Sequence, residues 1–386
     1  MENLKKILSY VLVAVLASVI TMSVFGGSPS DQPSQPDKLD ELADVIEYYF
    51  IGEVDSAAME DAAAAAMVES LGDKWSYYMT AHDYLVYQEQ MQNAYVGIGI
   101  TITLMEDESG FEVTKVNEGG SAEEAGMLAG DVIIGIEGQS AAGMSTTAAR
   151  DLVRGEEGTQ VTLTVLRGTE ELELVVTRKT VQTPVAKAQM LENQIGLVTI
   201  YNFDERCAQE TIAAIEQMLD QGATALIFDV RNNPGGYKKE LVKILDYLLP
   251  EGPLFRSEDY RGKVEVDNSD ADCLQIPMAV LVNADSYSAA EFFAAALNEY
   301  DAAVIVGEQT TGKGYFQSSF ELSDGSAVGL SIGKYTTPNG VSLADVGITP
   351  EICVEVDDET AFAIYAGTMD PKEDPQILAA MAALKK

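Results

Sequence analysis

Ser288 and Lys313 lie 25 residues apart in segments whose residue types suit peptide-bond hydrolysis. The serine stands in Ser-Tyr-Ser-Ala-Ala-Glu (286–291) and the lysine in Gly-Lys-Gly-Tyr-Phe-Gln (312–317). A serine nucleophile needs a base to take its hydroxyl proton, usually a histidine held by a carboxylate. The single histidine, His82, lies in an aromatic-rich stretch about two hundred residues before either segment. The sequence therefore predicts that any serine hydrolase activity uses a lysine as base.

The segment around Ser288 follows an apolar run, Met278–Val282, and precedes a helical pattern near 287–299. A serine at such a turn lies beside the N–H groups of a helix start, which favour developing negative charge. Most serines at helix starts are only caps. The two interpretations are compatible if Ser286 is the cap and Ser288 is the nucleophile.

Lys313 lies between two glycines, after another apolar run, Ala303–Gly307. A phosphate-binding loop is excluded, because the glycine spacing is wrong and no Ser or Thr follows the lysine. A solvated surface lysine is the other interpretation. In an extended strand, positions 313, 315 and 317 share one face, so the Gln317 side chain is placed to hold a neutral lysine amine towards the serine.

A glycine-rich loop ends the predicted strand Ala225–Val230, in Asp-Val-Arg-Asn-Asn-Pro-Gly-Gly (229–236). Loops at the carboxyl ends of parallel strands are where sites of α/β proteins assemble. An ordinary turn is the alternative. The functional interpretation is an oxyanion hole formed by the backbone N–H of Gly235 or Gly236 together with that of Ala289.

From residue 95 the apolar residues alternate as they do in strands, first in Tyr95–Leu104 and then in Phe111–Val116. With the later Ala-Gly-Met-Leu-Ala-Gly-Asp-Val-Ile (125–133) and Gly-Thr (158–159), residues 95–180 resemble a PDZ domain. Such domains add a C-terminal peptide to a sheet edge and hold its carboxylate with backbone N–H groups. The matching loop consists of Val96, Gly97, Ile98, Gly99 and Ile100.

The remaining chain divides by pattern. Residues 37–94 are helical in character, and strands alternate with helices across 181–358, which predicts an α/β core with a largely parallel sheet. Residues 359–386 end in an amphipathic helix that packs back on the body. The two helical segments are also candidates for forming a homo-oligomer.

The N-terminus carries targeting information. Lys5 and Lys6 precede an almost uncharged run, 7–25, which is near the length that spans a bilayer. We expect residues 1–27 to be a signal anchor, followed by a polar, Pro-rich linker over 28–36. A cleaved signal peptide is the alternative, and the protein would then be secreted. Either way, the catalytic part is expected outside the cytoplasm.

Composition excludes several classes. A net charge of −38 disfavours binding to nucleic acid. Cys207, Cys273 and Cys353 form neither metal-ligand spacing nor a disulfide framework, and they are expected to be small buried residues. A metal-assisted hydrolase using the abundant carboxylates is a rival, but these residues are spread as on a surface. We expect no metal and no cofactor.

In their order, these motifs resemble the carboxyl-terminal processing peptidases, tail-specific serine proteases. The resemblance starts at Leu-Gly-Asp-Lys-Trp-Ser-Tyr-Tyr-Met (71–79), with Lys74 where the family has proline. It continues through the PDZ module, the Arg-Asn-Asn-Pro-Gly-Gly loop, the serine turn and the lysine segment. It ends at Tyr-Thr-Thr-Pro-Asn-Gly-Val (335–341) and Gly-Ile-Thr-Pro-Glu (347–351). Tyr287 and Ala290 depart from the usual serine turn.

The resemblance implies a crotonase-like α/β peptidase core with an inserted PDZ domain. It implies that Ser288 is the nucleophile, Lys313 the general base and Gln317 the orienting third member. Arg154 occupies a position where family members carry an arginine that couples the PDZ domain to the protease, and a surface salt bridge is its other interpretation. The implied substrates are proteins with free C-termini. The rival from another class is a catalytically silent PDZ adaptor that binds protein C-termini.

Overall fold

The computed structural model describes residues 38–385. Contacts divide the chain into two units, Met1–Ala66 and Met67–Lys386. The described part of the first unit holds helix α1 (Lys38–Tyr49) and most of helix α2 (Ser56–Glu69). Several large apolar side chains of α1 are exposed: Leu39, Leu42, Val45, Tyr48 and Tyr49.

None of the helices formed by residues 38–385 has the length and apolar character needed to cross a bilayer. The anchor predicted for residues 1–27 and the linker predicted for 28–36 lie outside the described residues.

The second unit begins with strand β1 (Tyr77–Met79) and helix α3 (Ala81–Met91). The cap of α3 is Thr80, whose Oγ1 accepts a hydrogen bond from the Asp83 N–H at 3.2 Å. Helix α3 directly precedes the PDZ domain, and residues of its last turn line the cleft described below.

The PDZ domain is an antiparallel sheet with the strand order β3-β4-β5-β7-β8. Strands β2 and β9 form a separate two-stranded connection at its base, and β6 pairs with β5. Its elements are β2 (Ala94–Gly97), β3 (Ile100–Leu104), β4 (Phe111–Val116), α4 (Ser121–Glu124), β5 (Val132–Ile136), β6 (Gln139–Ser140), α5 (Thr146–Val153), β7 (Gln160–Arg167), β8 (Glu170–Thr177) and β9 (Lys179–Gln182).

The single strand predicted for Tyr95–Leu104 is wrong, because the chain breaks between β2 and β3. Gly99 has a φ of 77°, a conformation that favours glycine and that a strand does not allow. Ile98 is fully buried beside it in the domain's own core, with Phe111 and Val113. The break creates the loop that precedes the edge strand β3.

The peptidase core follows. Its elements are β10 (Ala186–Met190), a 3-10 turn (Glu192–Gln194), β11 (Ile195–Ile200), α6 (Cys207–Asp220), β12 (Ala225–Asp229), α7 (Lys238–Leu248), β13 (Gly252–Asp259), β14 (Val264–Ser269), β15 (Met278–Val282), α8 (Ala289–Glu299), β16 (Ala303–Gly307), β17 (Tyr315–Glu321), β18 (Ala327–Thr336), β19 (Ile352–Cys353), α9 (Asp358–Tyr365) and α10 (Pro375–Ala383).

The central sheet has the order β10-β11-β12-β15-β16-β19, and every neighbouring pair except β10–β11 is parallel. All five residues of β12 and all five of β15 are buried, as expected where helices cover both faces. The α/β class with a largely parallel sheet is confirmed, whereas the crotonase-like description stays a prediction.

The two faces of this sheet support different layers. One face packs Phe228 and Val280 against α6, α7 and α8. The other packs Ile227 and Leu281 against α10, whose Ile377 is buried there. The prediction that the last helix packs back on the body is confirmed. The carboxyl ends of β12 and β15 therefore open onto one edge of a fixed three-layer core.

A second, antiparallel sheet closes the site from the other side, with the order β1-β18-β13-β14 and β17 paired to β18. Tyr77 of β1 pairs with Gly329 of β18, where a side chain on the glycine would meet the Tyr77 ring. This pairing brings the segment before β1, which carries Trp75, to the core about 250 residues further on.

Candidate active site

Ser288 occupies the N-cap position of α8, directly after the turn that leaves β15. Its φ of 59° and ψ of −125° lie where few residues with a side chain are found, and such strain is concentrated at functional sites. Ser286 does not cap α8, contrary to prediction. Its Oγ donates to Val230 O at 2.7 Å and accepts from the Asn283 N–H at 3.0 Å, which fastens the turn to the neighbouring loop.

Glu291 joins the serine turn to the lysine segment. Its fully buried carboxyl accepts from the Ser288 N–H at 3.0 Å and from the Lys313 N–H at 2.9 Å on Oε2. Its Oε1 accepts from Thr310 Oγ1 at 2.6 Å and from the Gly312 N–H at 2.7 Å. Burial raises the pKa of this carboxyl, and the four donors act against that rise.

Sequence reasoning gave Glu291 no role. The signal was available, because a serine followed three positions later by glutamate is the pattern of a capping box at a helix start. What the pattern does not indicate is that the same carboxyl also holds the loop that carries the lysine.

The Lys313 amine lies beside two aromatic rings. Its Nζ is 4.8 Å from the centroid of the Trp75 ring and 5.8 Å from that of Tyr287. Burial lowers its pKa to about 8, while the nearby carboxylates of Asp73 and Glu291 act in the opposite direction. The surface interpretation of this lysine is therefore wrong, and a pKa near that value leaves about a tenth of the amine neutral at about pH 7.

Ser288 and Lys313 line the same cleft, of about 930 Å³, without a hydrogen bond between their side chains. Instead, Ser288 Oγ lies 2.8 Å from the phenol oxygen of Tyr335. Tyr335 is 5% exposed, and burial raises the pKa of its phenol, so the phenol stays protonated at neutral pH. Either hydroxyl can be the donor. Tyr335 was quoted in the sequence only as part of a closing motif.

Gln317 lines the cleft but does not bind the lysine amine. Its Nε2 donates to Ser331 Oγ at 3.1 Å and to Tyr315 O at 3.2 Å. The predicted shared face fails because Lys313 lies before β17, which begins at Tyr315, so the alternation of the strand does not extend to the lysine. Gln317 pairs with Ser331 of β18, and its amide binds that residue instead.

The glycine loop contacts the serine directly. Gly235 has a φ of 91°, and a Cβ there would lie 2.7 Å from the Ser288 Cβ, so the position requires glycine. The Gly235 N–H already donates to Asn233 Oδ1 at 2.8 Å, which removes it from the predicted oxyanion hole. Among the described residues, the N–H groups of Gly236 and Ala289 have no acceptor.

A buried ion network fixes the same loop, and sequence reasoning missed it. Arg231 Nη2 lies 2.6 Å from Asp229 Oδ2, and its Nη1 lies 2.8 Å from Asp374 Oδ2. Nη1 also donates to Gln376 Oε1 at 2.9 Å. The loop after β12 is thereby fastened to the start of α10, which comes more than 140 residues later in the chain.

The predicted carboxylate loop divides into two parts. Val96 and Gly97 belong to β2 and pair with Thr180 and Lys179 of β9, so they are not loop residues. Ile98, Gly99 and Ile100 lead into β3, which stands at the edge of the PDZ sheet. Ile98 O accepts from the Ala122 N–H at 3.1 Å, which fixes the loop against α4.

Arg154 lies at the contact of the PDZ domain with α3. It ends α5, and its Nη1 is 2.9 Å from Glu89 Oε2. Its guanidinium stands 4.8 Å from the centroid of the Tyr95 ring. The neighbours of Glu89 on α3, Gln90 and Met91, line the cleft. The side chain therefore contacts elements on both sides of the boundary, with 30% of it exposed.

The cysteines are only partly as predicted. Cys207 is buried, Cys273 is half-buried and Cys353 is exposed, because Cys353 belongs to the short edge strand β19. No group of three or more His, Cys, Asp or Glu side chains arranged to hold a metal ion occurs within residues 38–385.

Residues 194–354 match the family model described as peptidase family S41, and residues 112–167 match that of the PDZ domain. The carboxy-terminal processing protease CtpA of Bacillus subtilis (strain 168) is 32% identical over 369 residues, covering 92% of this chain and 78% of that protein. A probable CtpA-like serine protease of Staphylococcus aureus (strain COL) is 29% identical over 353 residues, covering 90% and 70%.

Among solved structures, a putative S41 protease from Bacteroides fragilis NCTC 9343 matches with a TM-score of 0.50 at 15% identity. The match covers 89% of this chain and 97% of the other. At that identity the likeness concerns the fold alone.

Proposed function

This chain belongs to peptidase family S41, and from that membership we propose that it cuts proteins at their C-terminal ends by a Ser288–Lys313 acyl-enzyme mechanism. It is a serine-type peptidase. The catalytically silent adaptor is not favoured, since the chain belongs to a peptidase family and the serine and the lysine line one cleft.

The observation that carries the proposal is the environment of the lysine. An ordinary lysine, with a pKa of about 10.4, is protonated at neutral pH and is not a base. Burial beside the serine turn lowers the pKa of Lys313 to about 8. A half-buried lysine in the same cleft as a serine held at a strained helix start fits a nucleophile and its base.

The reaction begins when neutral Lys313 takes the hydroxyl proton of Ser288 and the serine oxygen attacks the scissile carbonyl. The Lys313 amine and the Ser288 hydroxyl must first leave Trp75 and Tyr335 to reach each other. The N–H groups of Gly236 and Ala289, which lack protein acceptors among the described residues, suit the developing oxyanion. Lys313 then returns the proton to the leaving amine, and water hydrolyses the ester.

Substrate choice is assigned to the PDZ domain. The free edge of β3, preceded by the loop at Ile98–Ile100, suits addition of an extended C-terminal peptide. The similar protein of Bacillus subtilis is a carboxy-terminal processing protease, which supports substrates with free C-termini. The apolar run after Lys6 supports an extracytoplasmic enzyme tethered by residues 1–27.

The exposed apolar side chains of α1 are candidates for a homo-oligomer contact.

The test uses the full-length protein and an unstructured protein substrate, with cleavage followed by mass spectrometry. Ser288→Ala and Lys313→Met should each lower the rate by roughly 1,000-fold or more, since each removes one member of the reacting pair. His82→Gln is the matched control and should retain the wild-type rate. Folded Ser288→Ala or Lys313→Met protein with most of the wild-type activity would contradict the assignment.

Localisation is tested separately by fractionating cells that express the protein. Recovery of the full-length chain with membranes, and its digestion by protease added outside the cytoplasm, is the expected result. A full-length chain in the cytosolic fraction would contradict the tether, and a secreted form without the first residues would indicate cleavage instead.

A further inference from the structure

Two neighbouring aromatic rings, those of Trp75 and Tyr287, contact the Lys313 amine. The centroids of the Trp75 and Tyr287 rings are 6.1 Å apart, and the ring planes meet at 33°. Nζ of Lys313 lies 4.8 Å from the first centroid and 5.8 Å from the second. Both distances fall within the range of about 6 Å over which a cation is attracted to an aromatic face.

The rings come from segments that other contacts fix. Trp75 precedes β1, and its backbone N–H donates to Asp73 Oδ1 at 3.2 Å. The hydroxyl of Ser76 donates to Asp73 Oδ2 at 2.6 Å and accepts from the Ser331 N–H of β18 at 3.1 Å. Tyr287 is the residue before the nucleophile. Neither ring is therefore free to follow the amine when it moves.

We propose that the Trp75 and Tyr287 rings together form a cation–π clamp, which stabilises Lys313 in its ammonium form and so sets how readily this lysine becomes the base. The proposal rests on the proposed function, in which Lys313 is the base. Trp75 and Tyr287 are positioning residues, since they act on the lysine and not on the substrate.

Other charged groups also face this amine. The carboxylates of Asp73 and Glu291 favour its ammonium form. On the same indole, Lys74 Nζ lies 4.9 Å from the ring centroid and 3.0 Å from Asp345 Oδ1. Lys74 is largely exposed and does not line the cleft, so it provides a matched control for a lysine on this ring.

The first experiment measures kcat against pH for a short peptide. Leucine keeps the site apolar but has no aromatic face, so the ammonium loses stabilisation and the midpoint should move to lower pH. We expect a shift of about one pH unit for Trp75→Leu and about half a unit for Tyr287→Leu, with Trp75→Phe between wild type and Trp75→Leu.

An unchanged midpoint in both leucine variants would overturn the clamp. An upward shift would also overturn it, because the rings would then act only by excluding water. Lys74→Met should leave the midpoint where it is in the wild type.

The second experiment uses Trp75 itself, the single tryptophan of the chain. Its fluorescence should change with pH at the kinetic midpoint, since a charge 4.8 Å from the ring disappears there. The step should persist in Ser288→Ala, vanish in Lys313→Met and move to lower pH in Tyr287→Leu. Retention of the step in Lys313→Met would overturn the clamp even if Trp75→Leu does not fold.

The two experiments separate this inference from the proposed function. If Lys313→Met abolishes the fluorescence step but keeps peptidase activity, the clamp stands and the assignment of the base fails. If Lys313→Met abolishes activity but keeps the step, the base stands and the clamp fails.

Discussion

The peptidase core and the PDZ domain both bury charged side chains, but these side chains hold different kinds of segment. In the core, Glu291 receives hydrogen bonds from the lysine segment about twenty residues later, and Arg231 reaches Gln376, 145 residues away. In the PDZ domain, Arg178 donates to Val153 O at 2.8 Å, to Leu152 O at 3.0 Å and to Gln160 O at 2.6 Å.

The difference lies in what the charges hold. Arg178 satisfies the carbonyl groups at the end of α5 and joins this helix to β7, all within one domain. Glu291 and Arg231 instead hold loops at the edge of a sheet, and those loops carry the proposed reacting groups. The PDZ charges therefore stabilise a domain, whereas the core charges assemble a site. Substitutions in the two regions should separate binding from chemistry.

The largest effect is expected for Glu291→Gln. The amide keeps one oxygen for two of the four donors and turns its NH₂ towards the other two, which costs about 3 kcal/mol and lowers kcat about 100-fold. Rates on a short peptide and thermal unfolding should be measured together. Glu308→Gln, which affects a carboxylate of the same loop with one backbone partner, is the control. A near-normal rate in folded Glu291→Gln would show that this buried carboxylate does not assemble the site.

The pH dependence tests the lysine of the core. Below its pKa of about 8, Lys313 is mostly an ammonium and not a base, so the rate should rise with pH. With that midpoint, kcat should increase roughly 50-fold between about pH 6 and about pH 8, and less than twofold above about pH 9. A substrate without titratable groups in this range is required. His82→Gln should have the same profile, and a rate independent of pH would rule out the neutral-lysine mechanism.

For the PDZ domain, Arg178→Met should weaken binding without changing chemistry. Loss of its hydrogen bonds frees the end of α5, and we expect affinity for a C-terminal peptide to fall about tenfold. Binding is best measured on the Ser288→Ala background by calorimetry, and hydrolysis of a short peptide on the active enzyme. The control is Arg150→Met on the same helix, whose partner Asp151 is exposed. Equal loss of peptide hydrolysis would show that the two regions are not separable.

The smallest effect is expected at the boundary. The Arg154–Glu89 pair is partly exposed, so removing it costs about 1 kcal/mol together with the Tyr95 contact. Arg154→Ala should reduce cleavage of tail-bearing proteins about threefold to fivefold more than cleavage of a short peptide. Glu89→Gln should reproduce part of the loss, and the double variant should be less than additive. Equal rates for wild type and Arg154→Ala on both substrates would leave Arg154 without a coupling role.

Features that depend on neighbouring residues could be predicted from the sequence, whereas the pairing of segments far apart in the chain could not. The Ser288 turn, the glycine loop and the PDZ sheet depend on short patterns, such as the buried strand Met278–Val282 that leads into a helix. The antiparallel strands β13 and β14 were not predicted. Neither was β1, whose pairing with β18 places Trp75 beside Lys313. No local pattern records which distant strand a three-residue segment joins.

Gln317 shows a second limit. Alternation along an extended strand is a sound rule, but it requires both residues to lie in the strand. Strand β17 begins at Tyr315, after Lys313, and where a strand begins depends on its pairing with β18. Arg231 and Asp374 are evident in the sequence as charged residues, but their pairing depends on where α10 packs.

The backbone of Ser288 has a consequence for the thermodynamics of inactive variants. Alanine keeps the side-chain clash at a φ of 59°, whereas glycine adopts this conformation freely. Both substitutions remove the hydroxyl that contacts Tyr335, so the difference between them isolates the backbone. Ser288→Gly is then more stable than Ser288→Ala by about 1 kcal/mol. At the position of the nucleophile, thermal stability and reactivity are opposed. Glycine relieves the backbone strain at this position and removes the reactive hydroxyl.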